Sequence, residues 1–160
     1  MRSPKAECEI YMDAPIEIVW EVMTDVARYS EWNPFIVAVG GEMRLGALVT
    51  LHVTWAGGGG ATAVELVTRL DPPAMVQGGG ERRAVMEYRF TGWLSRMKLV
   101  NGSRLQALEQ APGAPTRYQT TEIFRGLLAG AVPLAKVQKG FELHARALKQ
   151  RAETLAGRVA

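Results

Sequence analysis

Arg104, Gln106, Glu122 and His144 are the polar residues whose spacing turns them toward apolar neighbours. Ser103 to Glu109 alternates as a strand with Arg104, Gln106 and Leu108 on one face. Arg117 to Phe124 alternates with Thr120, Glu122 and Phe124 together. Arg104 and Glu122 should therefore stand on neighbouring strands and face the same way. Desolvation of such a pair can match its Coulombic attraction. Two roles stay open for it: orienting a polar group of a ligand, or closing an ion pair at the open end of a sheet. His144 lies three residues after Phe141 and four before Leu148, on or beside the apolar stripe of a helix. It could touch a ligand or bond a backbone carbonyl at the edge of the core. His52 falls on the more polar face of its strand and is expected at the surface. No closely spaced carboxylate pair accompanies either histidine, so no metal site and no cofactor are expected. Cys8 is the single cysteine; it cannot form a disulfide within the chain and is expected to pack as a small hydrophobe. No nucleophile–histidine–acid arrangement is legible.

The element that must position His144 runs from about Ala131 to Leu155. Val137, Phe141, Ala145, Leu148, Ala152 and Leu155 recur there at helical spacing, with Lys136, Lys139, Arg146, Lys149, Arg151 and Glu153 between them. One long amphipathic helix cannot bury its stripe alone. Almost everything upstream reads as strand, so the expected partner is a curved sheet that grips the helix and leaves room for a small molecule. Glu7 to Met12 alternates as the first strand. Asp13-Ala14-Pro15 opens a helix, with proline at its first position, Glu17 in its first turn and an apolar stripe of Ile16, Val19, Trp20 and Met23. Asp25 is expected to cap a short turn from Val26 to Tyr29, and Asn33-Pro34 returns the chain to extended backbone. Trp20 and Trp32 should pin these helices over one end of the sheet. Ile36 to Val39 and Ala47 to Trp55 are strands, the latter with Val49, Leu51, Val53 and Trp55 on one face. Gly57 to Gly60 is a hairpin tip; it lacks the lysine, hydroxyl residue and helix of a phosphate-binding loop. Ala61 to Leu70 returns as a strand and Asp71-Pro72-Pro73 should turn sharply. Ala84 to Phe90 places Ala84, Met86, Tyr88 and Phe90 on one side. Thr91 to Val100 carries Trp93, Leu94, Met97 and Leu99 and reads as a flap beside a cavity mouth or as a self-packed loop. Hairpin-length connections make the sheet antiparallel, an α+β arrangement in one domain over residues 1–160.

The composition is that of a globular chain: 160 residues, 48% hydrophobic and 22% charged, with a net charge of +3. The basic residues are scattered and show neither a patch with stacking aromatics nor a known nucleic-acid module, so nucleic acid is not an expected partner. The short polar N-terminus has no apolar signal core, and the apolar run from Gly126 to Val137 is too short to span a bilayer. A cytoplasmic location is the expectation, with no integral membrane segment.

Ala14-Pro15-Ile16-Glu17-Ile18-Val19-Trp20, followed by Asp25-Val26-Ala27-Arg28-Tyr29-Ser30-Glu31-Trp32-Asn33-Pro34-Phe35, resembles the opening of the SRPBCC superfamily, also called START-like or polyketide cyclase/dehydrase-like. Asp71-Pro72-Pro73, Thr116-Arg117-Tyr118, Glu122-Ile123-Phe124-Arg125-Gly126 and the closing Ala147-Leu148-Lys149 agree with it in order. Gln77 to Arg83 departs from it as an extra loop. The resemblance implies a helix-grip fold: seven antiparallel strands, two short helices after the first, and a C-terminal helix over a hydrophobic cavity. It implies a cavity lined by Val53, Trp55, Met86, Tyr88, Phe90, Leu108, Phe124, Phe141 and His144, with Arg104, Gln106 and Glu122 as further polar contacts. Three functions fit. The first is binding of a hydrophobic or aromatic small molecule, lipids included. The second is a metal-free polyketide cyclase or dehydratase in which Arg104 holds an enolate oxygen and Glu122 or His144 moves the proton. The third is an accessory partner-binding protein. The apolar residues near Trp93 are also a candidate homodimer surface.

Overall fold

In a computed structural model, which describes residues 3–159, seven strands form one antiparallel sheet. They are β1 (Lys5–Met12), β2 (Ile36–Gly40), β3 (Leu48–Thr54), β4 (Gly60–Met75), β5 (Arg82–Phe90), β6 (Asn101–Gln110) and β7 (Thr116–Arg125). Their order is β1-β7-β6-β5-β4-β3-β2, so consecutive strands pair as hairpins and β1 closes onto β7. The sheet curls into a half-barrel. Helices α1 (Ile16–Thr24) and α2 (Tyr29–Trp32) follow β1, a four-residue helix α3 (Trp93–Arg96) joins β5 to β6, and α4 (Leu134–Val159) ends the chain.

The helix α4 lies across the hollow of the sheet for the reason its spacing gave. Val137, Phe141, Ala145, Leu148 and Ala152 are buried, Leu155 is half-buried, and the intervening charged residues stay at or near the surface. The helix begins later than Ala131, because Pro133 precedes its first turn and a short 3-10 turn occupies Ala129–Ala131. Pro15 stands just before the first helical residue of α1 rather than within it, and its carbonyl accepts from the Ile18 and Val19 amides. Glu17 pairs with Arg82 of β5. Asp25 makes no side-chain cap; its carboxylate takes Arg28 Nε at 3.3 Å instead.

One expectation fails in β4. Asp71-Pro72-Pro73 does not turn the chain, and the strand runs on to Met75. Its pairing with β5 slips between Asp71 and Ala74, while its pairing with β3 has already ended at Leu66. The two prolines therefore lie in a bulge on an open edge, where no ladder partner needs their missing N–H groups. The turn comes at Gln77 to Gly80 instead, and the extra loop there is the tip of the β4–β5 hairpin. The facing of β5 is undisturbed, with Ala84, Met86 and Tyr88 buried on the concave side.

Candidate functional site

Between the sheet and α4 lies a cavity of about 390 Å³. Its walls are Phe35, Val53, Trp55, Phe90, Phe124 and Phe141 with smaller apolar side chains, and Arg104, Glu65, Glu122 and Tyr88 enter it. Strand register explains the arrangement. Tyr88, Arg104 and Glu122 are direct partners across β5, β6 and β7 and form one row on the concave face. Toward the mouth, the next row of that face holds Glu65, Phe90, Gly102 and Phe124. Gly102 is the reason the row is hollow. A Cβ there would stand 2.6 Å from Glu122 Oε1 and 3.2 Å from the Phe124 ring.

Arg104 is only 3% exposed, and its environment is built to hold a charge. Nε donates to Thr120 Oγ1 at 3.0 Å, one terminal nitrogen to Tyr88 Oη at 3.0 Å and the other to Tyr118 Oη at 3.5 Å. The guanidinium carbon sits 4.1 Å from the centroid of the Phe141 ring, a cation–π contact with α4. Tyr118 Oη donates to Gln106 Oε1 at 2.8 Å, and Gln106 Nε2 reaches Tyr88 Oη at 3.5 Å. Burial works against the charge of Arg104, but the acidic groups facing it outweigh burial and keep it ionised.

None of those hydrogen bonds goes to a carboxylate. Glu122 and Arg104 are partners in register without closing an ion pair, and both Glu122 and Glu65 are left facing the cavity. Burial raises the Glu65 carboxyl to about 8, with Glu122 adding repulsion and Arg104 opposing. Burial raises Glu122 to about 7, again opposed by Arg104. Near neutral pH the site therefore holds one fixed cation and two carboxyls that exchange protons readily.

The residues anticipated from the sequence divide into two groups. Val53, Trp55, Tyr88, Phe90, Arg104, Glu122, Phe124 and Phe141 line the cavity. Met86, Gln106, Leu108 and His144 do not; they are fully buried deeper in the core. Gln106 acts behind the wall, through the tyrosines. His144 has a different partner. Asn33 Oδ1 accepts from the Phe35 and Ile36 amides at 3.0 Å, so its Nδ2 must be the group that donates to His144 Nδ1 at 2.9 Å. The ring proton then lies on Nε2, which is buried without a partner. Burial and the charge of Arg104 push this imidazole well below its ordinary pKa, so it is neutral. His144 thus anchors the Asn33-Pro34-Phe35 turn, and that turn sets Phe35 in the cavity wall. Glu65 and Phe35 escaped the sequence reading. A signal for Glu65 existed: it alternates with Ala61, Ala63 and Val67, a lone carboxylate on an apolar face.

A curled antiparallel sheet holding a long helix over an apolar cavity defines the helix-grip class of ligand-cavity domains. The chain belongs to the polyketide cyclase / dehydrase and lipid transport family, whose model matches residues 3–153. Solved structures share the fold at low identity. The hypothetical protein jhp0584 of Helicobacter pylori aligns with a TM-score of 0.67 at 12% identity, over 94% of this chain and 89% of that one. Major latex-like protein 151 of Panax ginseng aligns with a TM-score of 0.62 at 12% identity, over 95% and 99%. The di-domain ARO/CYC BexL from the BE-7585A biosynthetic pathway aligns with a TM-score of 0.58 at 16% identity, over 95% of this chain and 49% of that one. No curated protein matches the chain. Among the described residues no helix is long and apolar enough to cross a membrane, and no cluster of three or more potential metal ligands occurs.

Proposed function

We propose that the protein binds one hydrophobic or aromatic small molecule in the cavity. The apolar body lies against Phe35, Trp55, Phe90, Phe124 and Phe141, and a polar end meets Arg104, Glu65 and Glu122. The observation that carries this is the hollow of about 390 Å³ held open beside Gly102, with three polar groups converging on apolar walls. Native mass spectrometry of freshly purified protein and titration with a fluorescent hydrophobic probe test it. The wild type should bind the probe stoichiometrically, and Ala63→Trp, which fills the cavity from β4, should bind at least about tenfold more weakly with its fold intact. A wild type that takes up no probe, or a variant that binds equally well, sinks the reading.

One observation favours a second reading, a cyclisation of a poly-β-ketone. Arg104 is a preorganised cation for an enolate oxygen, and the two carboxyls titrate near the pH at which proton transfer is efficient. Glu122 would take the proton from the carbon acid, Arg104 would hold the oxygen, and Glu65 would return a proton to the new alkoxide. Turnover of a poly-β-ketone analogue by wild type and by Arg104→Ala decides it. Equal rates, or none in either, remove the enzymatic reading and leave binding alone.

A further inference from the structure

Three segments surround the cavity mouth: Trp55 to Gly60, Thr91 to Val100 and Gly126 to Pro133. Trp55, Leu94, Val100, Leu128 and Val132 from these segments line the cavity itself. The second and third are joined into one rim. The Leu128 amide donates to the Leu99 carbonyl at 2.8 Å. Gly126 has φ +116°, and a Cβ there would fall 2.4 Å from that same carbonyl oxygen. From this rim Trp93, Met97, Leu127 and Leu128 project 69%, 65%, 86% and 46% exposed. Burying them would be favourable, yet among the described residues nothing covers them.

The charged residues of these segments have one sign. None of the three segments contains an aspartate or a glutamate. Arg96 and Lys98 sit among the apolar tips, and Arg125 and Lys136 flank the third segment. Among the described residues none of these four cations closes an ion pair. On the outer side of α3 a second groove runs past Leu48, Val64 and Trp93 and is edged by Arg89, Arg96 and Lys98.

We propose that this rim docks on the surface of an anionic lipid bilayer. Trp93, Met97 and Leu127 would seat at the boundary between headgroups and acyl chains, where an indole ring is best accommodated. Arg96, Lys98, Arg125 and Lys136 would lie against lipid phosphates, each cation strengthening the partition. A second copy of the chain fits the rim less well, since two such rims would bring like charges together. Docked this way, the cavity mouth faces the bilayer, and an apolar molecule can pass between the two without crossing water. The inference stands on the rim alone and does not require that the cavity catalyse anything.

The test is flotation of the full chain with vesicles of phosphatidylcholine alone and of phosphatidylcholine mixed with phosphatidylglycerol, at low and high salt. Wild type should float with the anionic vesicles and release at high salt. Arg96→Gln combined with Lys98→Asn should weaken that partition about thirtyfold; asparagine suits the left-handed backbone at Lys98, φ 57°. Leu127→Ala should weaken it about tenfold. None of the three positions lines the cavity, so probe uptake should be unchanged in these variants and reports that they are folded. Equal flotation with both vesicle types, no flotation of the wild type, or variants that float like wild type each overturn the proposal. So does a concentration-dependent dimer that Leu127→Ala abolishes while vesicles stay unbound, because the occupant would then be a second copy.

Discussion

Glu65 and Glu122 face an apolar hollow with their pKa values raised, and this links protonation to folding. The folded carboxyl keeps a proton that the unfolded chain has already released. Its stabilising contribution is full below pH 4.5 and is lost as pH climbs to about 8 for Glu65 and about 7 for Glu122. His144 runs the other way. Its folded pKa is lowered, so its contribution is present above 6.5 and is lost as pH falls below that value. Above pH 6.5 the carboxyls act without opposition from the imidazole. Urea unfolding should show stability falling between pH 6.5 and pH 8 by roughly 2 kcal/mol from Glu65, and Glu65→Gln should flatten most of that fall. An unchanged slope in the variant would show that the carboxyl is better solvated than its burial suggests. This part of the site was half legible. Alternation alone brought Arg104 beside Glu122, but of the two roles left open for them it could not say that Thr120, Tyr88 and Tyr118 take the guanidinium and leave the carboxylate without an ion pair to it.

At the scale of elements, α4 and the turn before β2 meet through one missing side chain. A Cβ on Gly140 would stand 2.2 Å from the Phe35 ring. Glycine within a helix ordinarily costs about 1 kcal/mol relative to alanine. Here the ring occupies the space, so Gly140→Ala should destabilise by about 1–3 kcal/mol through overpacking and displace Phe35 from the cavity wall. Gly157→Ala, in the same helix with nothing within 4 Å, should be neutral or stabilising. Opposite signs for two identical substitutions in one helix, read by thermal melts, are the check. Two neutral or stabilising effects of equal size would mean that the Phe35 ring yields freely. The stripe from Val137 to Ala152 announced the helix. The ring that occupies the place of a Gly140 side chain arrives from a segment more than a hundred residues earlier, and no local pattern carries that information.

For the whole molecule, an occupied cavity should raise the melting temperature. A ligand at a hundred times its Kd adds about 2.7 kcal/mol, or roughly 5–10 °C for a domain of this size. Thermal melts with a saturating hydrophobic probe should show that shift in wild type and little of it in Ala63→Trp. The same shift in both proteins would place the probe elsewhere, with the outer groove beside Trp93 the first place to look.

The linear chain by itself determined the seven strands, the two short helices after β1, the concave faces of most strands and the buried side of α4, because those follow from periods of two and of 3.6 residues; the one-turn helix α3 within Thr91 to Val100, read as a loop, is too short to show such a period. It could not determine that Asp71-Pro72-Pro73 stays in a strand, since an open edge and a bulge make proline harmless there. Nor could it decide which buried polar residues reach the hollow. His144 and Gln106 lie in the core behind it, while Glu65 enters it. Those assignments depend on how far each strand curls and on which ring fills which gap. Both are settled only when α4, Phe35 and the empty place at Gly102 compete for the same volume.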